Sequence, residues 1–270
     1  MAATEPVLLD RTGTAFERRH VDGDGVAYAE VGSGHEVVVL IHGTLTALDD
    51  MLIALGPYMP DQRLIALDRP GFGASTRQTL VDAGVFRQAR KLNQALAALQ
   101  VRRAILVGHS FGAAVALAMA LLEPARTAGV VALAPLVLPE LRLEHLLFGP
   151  RAVPWWGGAL SNALHGGIDR TLLPVLWRDM FLPQPMPDAM ETRFPFALAG
   201  QAGATARVGE DCLAAGPDLT ALLALAPILQ APLSVLGGDA DLVVNNRLHG
   251  ALWAALAPDG RFSLLPRVGI

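Results

Sequence analysis

Short apolar runs alternate along the chain with longer stretches of helical character. Most of these runs are continuously apolar and rich in β-branched residues, which is typical of strands buried on both faces of a sheet. They cover residues 36–41, 63–68, 104–107, 129–133, 232–236 and, with a weaker pattern, 262–265. The helical stretches cover residues 46–59, 79–100, 110–122 and 244–256. This order predicts an α/β fold with a mostly parallel, doubly wound sheet and helices on both of its faces.

A further strand is predicted at residues 26–31, where apolar residues alternate with small or polar ones. It follows the acidic, glycine-rich sequence DGDG at residues 22–25. This tetrad is a hairpin-turn signal, so we expect a tight turn directly before the strand.

The alternation of strands and helices stops between residues 138 and 216, where no strand-like run occurs. Prolines interrupt this segment, which also holds seven of the aromatic residues: Phe148, Trp155, Trp156, Trp177, Phe181, Phe194 and Phe196. We interpret it as a helical cap, or lid, inserted into a core formed by residues 1–137 and 217–270. We expect its aromatics to line, in part, an apolar pocket above the site. An ordinary helical extension with its own small core is the alternative, and most of the aromatics are packing residues in either case.

Composition and charge exclude several classes of protein. Hydrophobic residues make up 52% of the chain and charged residues 17%, so the chain can bury a core and is not a disordered segment. The formal net charge is -4, and the positive charge is scattered arginine, with Lys91 the only lysine. Because no basic stripe occurs, we do not expect nucleic acid as a partner.

Neither a cofactor nor a membrane span is indicated. The single Cys212 and the scattered histidines give no metal-ligand spacing, so we expect no metal and no cofactor. The longest apolar region, residues 111–139, is interrupted by Glu123, Pro124 and Arg126. Neither half reaches the roughly 20 residues that a membrane helix needs. The N-terminus has no signal-peptide pattern, which makes the cytoplasm the default expectation for location.

The sequence GHSFG at residues 108–112 carries the most specific chemical signal. It lies between a predicted buried strand and an apolar helix, the context of a nucleophile elbow. Such a sharp turn forces its central residue into a strained conformation and pushes that side chain out above the sheet. The helix dipole at this point also favours developing negative charge. The pattern predicts Ser110 as a nucleophile, and the alternative is a helix N-cap with incidental glycines.

The sequence HGTL at residues 42–45 follows another predicted strand. A backbone N–H of this loop can converge with the N–H of Phe111 to form an oxyanion hole. We expect the loop donor to be Thr44 rather than Leu45. We expect His42 to order the loop by hydrogen bonding and not to act as the base.

A third loop, DRPGFGAS at residues 68–75, follows the predicted strand at 63–68 and alone indicates only a turn. Taken with the two motifs above, it makes the chain resemble the α/β-hydrolase superfamily over residues 26–270. The resemblance implies a hydrolase with a serine nucleophile. It points away from haloalkane dehalogenases and epoxide hydrolases, which carry aspartate at the elbow. It is compatible with esterases, lactonases, carbon–carbon bond hydrolases and perhydrolases.

The resemblance also implies an acid after a late strand, and here the sequence GGDADLVV at residues 237–244 follows the predicted strand at 232–236. The family spacing places the acid at Asp241. Asp239 is the alternative, and it can equally satisfy loop amides or cap the next helix. Aspartate suits this role because the imidazolium formed during acyl transfer must be oriented and stabilised.

The expected base is missing from these 270 residues. In the family a histidine follows a glycine after the last strand, and here Ile270 follows Gly269 at that place. Other histidines fit poorly: His249 lies on a helix expected to lead away from the strand ends, and His109 points elsewhere on the elbow. The remaining candidates lie in the cap or beside the N-terminal strands: His145, His165, His20 and His35.

Three functions follow from these observations. The first is a serine hydrolase for a small apolar ester or related carbonyl compound, impaired here because the base is missing. The second is a pseudo-enzyme that keeps the pocket and binds a small apolar ligand. The third is an interaction module that uses the fold only as a scaffold. The intact elbow and oxyanion loop favour the first, because a binding protein does not need a strained serine.

Overall fold

A computed structural model describes residues 8–9, 15–21, 23 and 25–269 of the chain. The strands are β1 (Leu8–Leu9), β2 (Ala15–Phe16), β3 (Arg19–His20), β4 (Ala27–Val31), β5 (Val37–Ile41), β6 (Arg63–Leu67), β7 (Ala104–His109), β8 (Thr127–Leu133), β9 (Leu233–Gly238) and β10 (Gly260–Leu265). The helices are α1 (Leu48–Leu55), α2 (Val85–Ala98), α3 (Phe111–Leu122), α4 (Leu143–Phe148), α5 (Gly157–His165), α6 (Ile168–Asp179), α7 (Asp188–Arg193), α8 (Phe196–Ala199), α9 (Ala202–Ala224) and α10 (Asn246–Leu256).

Eight of the strands form one sheet in the order β10-β9-β8-β7-β5-β6-β4-β3. The strands from β10 to β6 are all parallel to their neighbours, whereas β4 runs antiparallel to β6 and β3 antiparallel to β4. This mostly parallel sheet with flanking helices confirms the predicted α/β fold class. Asp22 and Asp24 of the predicted hairpin turn lie outside the described residues, and His20 pairs with Ala27 on either side of that turn.

The predicted strands occur with small shifts at their ends, and two predicted helices are shorter than expected. The helix predicted at residues 79–100 begins only at Val85, after Gly84 in an extended conformation. The helix predicted at 46–59 ends at Leu55, where a 3-10 turn with Pro57 in its first turn takes over. Proline lacks the N–H that would continue the hydrogen-bond ladder, so the α-helix stops there.

The core lies on both faces of the sheet, as the continuously apolar strands require. On one face the largest cluster joins the sheet to α2, α3 and α10, and on the other a smaller cluster joins it to α1. Helix α3 is buried from Phe111 to Ala120, which is why its sequence shows no polar face. A third cluster joins loop residues Leu45 and Phe72 to Trp177 and Phe194 of the segment 138–216.

The segment 138–216 contains helices α4 to α8 and the first part of α9, and no strand of the sheet occurs in it. Helix α9 runs without a break from Ala202 to Ala224, with Pro217 inside it. It contacts α4 and α5 on one side and α2 and α3 on the other. The division between cap and core that we drew at residue 216 therefore falls within a single helix and coincides with no change of element.

The long apolar region at 111–139 is divided between α3 and β8, with Pro124 in a 3-10 turn between them. The longest helix, α9, carries charged residues such as Arg207 and Asp218. Of the helices in the described ranges, none has both the length and the apolar character needed to cross a membrane.

Candidate active site

Ser110 lies in a strained turn between β7 and α3. Its backbone angles are φ 52° and ψ −121°, in the left-handed half of the map that favours glycine. A Cβ on Gly112 would lie 2.4 Å from the carbonyl oxygens of Ile41 and His42, and one on Gly108 would lie 2.4 Å from the Gly112 carbonyl oxygen. Both glycines are therefore required for the helix to leave the strand so sharply. Holding a serine in this conformation costs on the order of 1–3 kcal/mol.

Backbone hydrogen bonds hold the turn at the end of the neighbouring strand. The Ser110 N–H donates to the carbonyl oxygen of Leu133, at the end of β8, over 2.9 Å. The Leu136 N–H donates to the Ser110 carbonyl oxygen over 3.1 Å. These two bonds fix the nucleophile candidate at the carboxyl edge of the sheet, where side chains of several loops meet.

His42 is fully buried and orders the loop that follows β5. Its Nε2 accepts from the Arg69 N–H over 2.9 Å, which leaves the proton on Nδ1 to donate to the Gly43 carbonyl oxygen over 2.9 Å. Burial and the neighbouring Arg69 charge hold the pKa of His42 well below its usual value. Both nitrogens are occupied, so this ring is unsuited to take a proton from Ser110.

The loop after His42 passes close to Ser110. A Cβ on Gly43 would lie 3.2 Å from the Ser110 Cβ, and Thr44 lines the same cavity as Ser110. The next residue, Leu45, has φ 58°, and its carbonyl oxygen accepts from Trp177 Nε1–H over 2.9 Å. Phe111, the other predicted oxyanion-hole residue, is the first residue of α3. The segment 138–216 therefore contacts the oxyanion-loop candidate directly.

A buried arginine that sequence reasoning missed holds the same loop. Arg69 donates from Nε to the His42 carbonyl oxygen over 3.0 Å and from Nη2 to the Gly43 carbonyl oxygen over 2.9 Å. Its Nη1 donates to Asp211 of α9 over 2.8 Å and to Gln88 over 2.9 Å. The only local signal was a positive charge inside the loop motif 68–75, and the partner Asp211 could not be found from spacing.

Arg69 belongs to a buried network of charges between the loops and α9. Arg77 donates to Asp211 over 2.5 Å and to Glu210 over 2.8 Å, and the side chains of all three are nearly inaccessible to solvent. Two cations thus face two carboxylates. Such a network is stable only when every member is paired, because an uncompensated buried charge is very costly.

Asp241 follows β9, and Ser110 follows β7, with β8 between these parallel strands. Both residues therefore follow strand ends at the same edge of the sheet, and β7 and β9 are about two strand spacings, or ~10 Å, apart. Asp241 Oδ1 accepts from the N–H groups of Val243 and Val244 over 2.7 and 2.8 Å, and Oδ2 accepts from Asn246 over 2.7 Å. Its carboxylate is held firmly by its own loop.

The alternative acid, Asp239, has a different partner. Its Oδ1 accepts from the N–H of Arg267 over 2.5 Å, just after β10. The Asp239 N–H donates to the Leu265 carbonyl oxygen over 3.0 Å. Asp239 therefore ties the end of β10 to the end of β9.

The histidines, all of which lie in the described ranges, make bonds that do not reach Ser110. His249 is fully buried, with Nδ1 accepting from the Val137 N–H over 3.2 Å and Nε2 lying 3.2 Å from Glu140. His109 lies 3.9 Å from Asp50. His145 accepts from the N–H of Arg142 at the start of α4, and the others are exposed: His20, His35 and His165.

Residue 270, where the sequence predicted a missing base, lies outside the described residues. The residues before it lie against the end of β9: the Ala240 N–H donates to the Val268 carbonyl oxygen over 3.1 Å. The Gly269 N–H donates to Gln184 over 3.0 Å. A Cβ on Gly238 would lie 2.0 Å from the Val268 carbonyl oxygen, so the two segments are in close contact at the edge that carries Asp241.

Two cavities meet at His109. The first, which we call the serine cleft, has a volume of about 520 Å³ and is lined by Ser110, Thr44 and residues such as Leu143 and Leu176. The second, which we call the side chamber, has a volume of about 260 Å³. The aromatics Trp177, Phe181 and Phe196 line the side chamber and not the serine cleft. The expected aromatic pocket is therefore the side chamber, which is lined by His109 but not by Ser110, because these rings face α1 and the end of β10. Within the described part of the chain, no cluster of three or more His, Cys, Asp or Glu residues is arranged to hold a metal ion.

Comparison with known proteins agrees with this architecture. Residues 36–266 match the family model described as alpha/beta hydrolase fold. The structure superposes on an alpha/beta hydrolase fold protein from Burkholderia ambifaria with a TM-score of 0.74 and 18% identity, covering 98% of this chain and 93% of that one. This likeness concerns the fold alone.

Two curated proteins are similar over part of the chain. One is the dihydrolipoyllysine-residue acetyltransferase component of the acetoin cleaving system of Cupriavidus necator, 34% identical over 121 residues, or 45% of this chain and 32% of that protein. The other is an uncharacterized hydrolase of Bacillus subtilis, 28% identical over 175 residues, or 64% of each chain. The chain thus spans about a third of the first relative and less than two thirds of the second.

Proposed function

We propose that this chain, which belongs to the alpha/beta hydrolase fold family, is a serine hydrolase whose nucleophile is Ser110. The observation that carries the proposal is the strained backbone of Ser110, with φ 52°, between two glycines that admit no side chain. Strain of this kind is retained where a reactive group must be presented in a fixed position. A protein that only binds a ligand has no need of it.

The substrate class is an ester or related carbonyl compound with apolar character. The serine cleft above Ser110 carries several leucines, including Leu141, Leu143, Leu147 and Leu176. Pockets of this size and character take small molecules, with a few polar groups setting the orientation.

The reaction begins when Ser110 Oγ attacks the substrate carbonyl carbon and loses its proton to a base. The N–H groups of Thr44 and Phe111 stabilise the negative oxygen of the tetrahedral intermediate, and the N-terminus of α3 adds its dipole. The leaving group then departs with a proton, and water releases the acyl group from Ser110. Asp241 orients the imidazole that serves as base, and its loop amides and Asn246 keep the carboxylate in place.

None of the seven histidines supplies that imidazole in our proposal. His42 and His249 have both nitrogens occupied, and His109 points toward Asp50. The place next to Gly269 fits best, because Val268 and Gly269 lie against Gly238 at the edge that carries Asp241. The 270-residue chain, with isoleucine at that place, is therefore expected to be a weak catalyst.

One observation favours a second candidate, a pseudo-enzyme that binds a small apolar ligand without turning it over. Within the described part of the chain, all the hydrogen bonds of the Asp241 carboxylate go to Val243, Val244 and Asn246. An aspartate that serves only to shape this loop would make the same bonds.

A fluorophosphonate probe separates the two candidates, because it reacts covalently much faster with an activated serine than with an ordinary one. We expect the native chain to be labelled at Ser110, slowly but faster than the urea-unfolded chain, with the site located by peptide mass spectrometry. The Ser110→Ala variant is the control and should stay unlabelled. A folded chain labelled no faster than the unfolded one would reject the hydrolase proposal and leave the ligand-binding candidate.

A further inference from the structure

The side chamber has an almost entirely apolar wall with one polar spot. The polar spot consists of Thr46, Asp50 and His109, and the rest is formed by residues such as Trp177 and Met190. His109 also lines the serine cleft, so a molecule at Ser110 can extend a group into the side chamber. A few fixed polar groups in an apolar pocket are what orient a ligand.

The Asp50 carboxyl has Thr46 as a side-chain neighbour that lowers its pKa, but one of its two oxygens lacks a hydrogen-bond partner. Its Oδ2 is buried and has no hydrogen-bond partner in the described part of the chain. The Nδ1 atom of His109 lies 3.9 Å away, too far for a hydrogen bond. The nearby Arg18 pairs with Asp49 and Asp68 instead. A buried carboxylate oxygen without a donor is energetically unfavourable, and burial raises the pKa of the Asp50 carboxyl.

Asp50 Oδ2 and His109 Nδ1 are 3.9 Å apart, so an oxygen atom beside the line that joins them can reach both at an ordinary hydrogen-bond length. A hydroxyl in this position donates to Asp50 Oδ2 and accepts from His109 when Nδ1 carries the proton. An ammonium group offers only donors, and burying its charge in an apolar chamber costs far more than burying a hydroxyl. A carboxylate would face Asp50 with a like charge.

We propose that the side chamber binds a hydroxyl-bearing apolar group of the substrate, with Asp50 and His109 as the residues that recognise the hydroxyl. The substrate class becomes a hydroxylated apolar ester or related carbonyl compound. This refinement rests on the proposed function, because it takes the occupant of the side chamber and the carbonyl at Ser110 to be parts of one molecule.

Calorimetric titration of the Ser110→Ala variant tests the binding site without any need for catalysis. The probes are hexan-1-ol and its isomer pentyl methyl ether, which keeps the acceptor oxygen but has no O–H to donate. We expect hexan-1-ol to bind about tenfold more tightly, the factor that one hydrogen bond to a buried charged acceptor typically supplies. Hexylamine is the third probe and should bind more weakly than the alcohol.

Two substitutions in the Ser110→Ala background locate the site. Asp50→Leu and His109→Phe should each bring the alcohol-to-ether affinity ratio close to one, while the ether affinity stays within about threefold. Asp61→Asn removes a carboxylate of the same type at an exposed position and should leave the ratio unchanged. Circular dichroism checks that each variant is folded. If one of the two variants, Asp50→Leu or His109→Phe, fails to fold, the other still tests the site.

Equal binding of alcohol and ether by the unsubstituted chamber would overturn the proposal and leave water as its occupant. Tighter binding of hexylamine than of hexan-1-ol would show that the chamber recognises a cation and not a hydroxyl, and this would also overturn the proposal. If neither Asp50→Leu nor His109→Phe changes the alcohol-to-ether affinity ratio, the alcohol binds outside the side chamber and the proposal is wrong. These results are independent of fluorophosphonate labelling at Ser110, so a failure of this proposal can be told apart from a failure of the proposed function.

Discussion

The carboxylate of Asp211 lies 2.8 Å from the guanidinium of Arg69, although 142 residues separate them in the chain. Through the same guanidinium, α9 is connected to the carbonyl oxygens of His42 and Gly43. The position of the oxyanion-loop candidate therefore depends on a helix that begins in the segment 138–216. A substitution in α9 is therefore expected to alter the surroundings of Ser110, although the substituted residue does not contact Ser110.

Asp211→Asn is expected to lower the free energy of unfolding by about 3 kcal/mol, because it leaves Arg69 and Arg77 buried with too little negative charge. Urea denaturation measures this loss. Glu191→Gln is the matched control, since it breaks the exposed pair with Arg178 and should cost less than about 1 kcal/mol. Equal losses in both variants would show that the buried network is not the source.

Ser110→Gly is expected to be more stable than Ser110→Ala by about 1 kcal/mol, although both remove the hydroxyl of the proposed nucleophile. Glycine adopts φ 52° without strain, whereas alanine keeps the strain of serine. Thermal unfolding of the two variants gives the difference. A glycine variant that is less stable than the alanine variant would mean that the turn is not strained.

Cys212 is expected to resist alkylation by iodoacetamide at pH 8 in the folded chain and to react readily once the chain is unfolded. Burial, with help from the carboxylates of Asp211 and Glu144, raises the pKa of its thiol to about 12. The thiolate is the reactive form, so the folded chain holds almost none of it. Rapid alkylation of folded protein at this pH would contradict the burial of the thiol.

The same thiol predicts a loss of stability in alkali. Between about pH 9 and pH 12 the unfolded chain releases the thiol proton while the folded chain keeps it, so stability falls as the pH rises through this window. Three pKa units correspond to at most about 4 kcal/mol. Denaturation of Cys212→Ala at the same pH values isolates this contribution, because the variant keeps every other titrating group. Parallel pH profiles for the two proteins would rule the effect out.

Our proposal that none of the seven histidines is the base predicts that the 270-residue chain hydrolyses short p-nitrophenyl esters about 10⁴ to 10⁶ times more slowly than a complete triad would. Ile270→His followed by an added C-terminal helix should restore turnover that depends on Ser110. Ile270→His alone should recover little, since a terminal residue frays and holds no fixed geometry.

Ester turnover by these three chains is measured beside Ser110→Ala versions of each, which report background hydrolysis. Ordinary enzyme rates from the 270-residue chain would make one of its seven histidines the base. If the extended variant folds and stays inactive, the ligand-binding candidate becomes the better description of the chain.

The order of strands and helices and the turn that presents Ser110 could be predicted from sequence because their causes are local. A buried strand must be apolar throughout, and a strand that passes directly into a helix at GHSFG needs small residues on both sides of Ser110. Asp241 remains a predicted acid, placed by the family spacing in a loop that follows a recognisable strand. Those requirements act within a few residues, so they remain visible in the linear chain.

Three features were decided only by the tertiary structure: the Arg69–Asp211 pair, the separation of the serine cleft from the side chamber, and the unpaired Oδ2 of Asp50. Each depends on which surfaces come into contact when the segment 138–216 and α9 pack against the rest of the chain. Asp49 and Asp50 are identical neighbours in sequence, yet Asp49 pairs with Arg18 while Asp50 faces an apolar chamber. Burial makes the difference. A carboxylate oxygen that accepts from water or a guanidinium in one place is left without a donor where packing excludes water and guanidinium alike, and a bound ligand can then supply the donor.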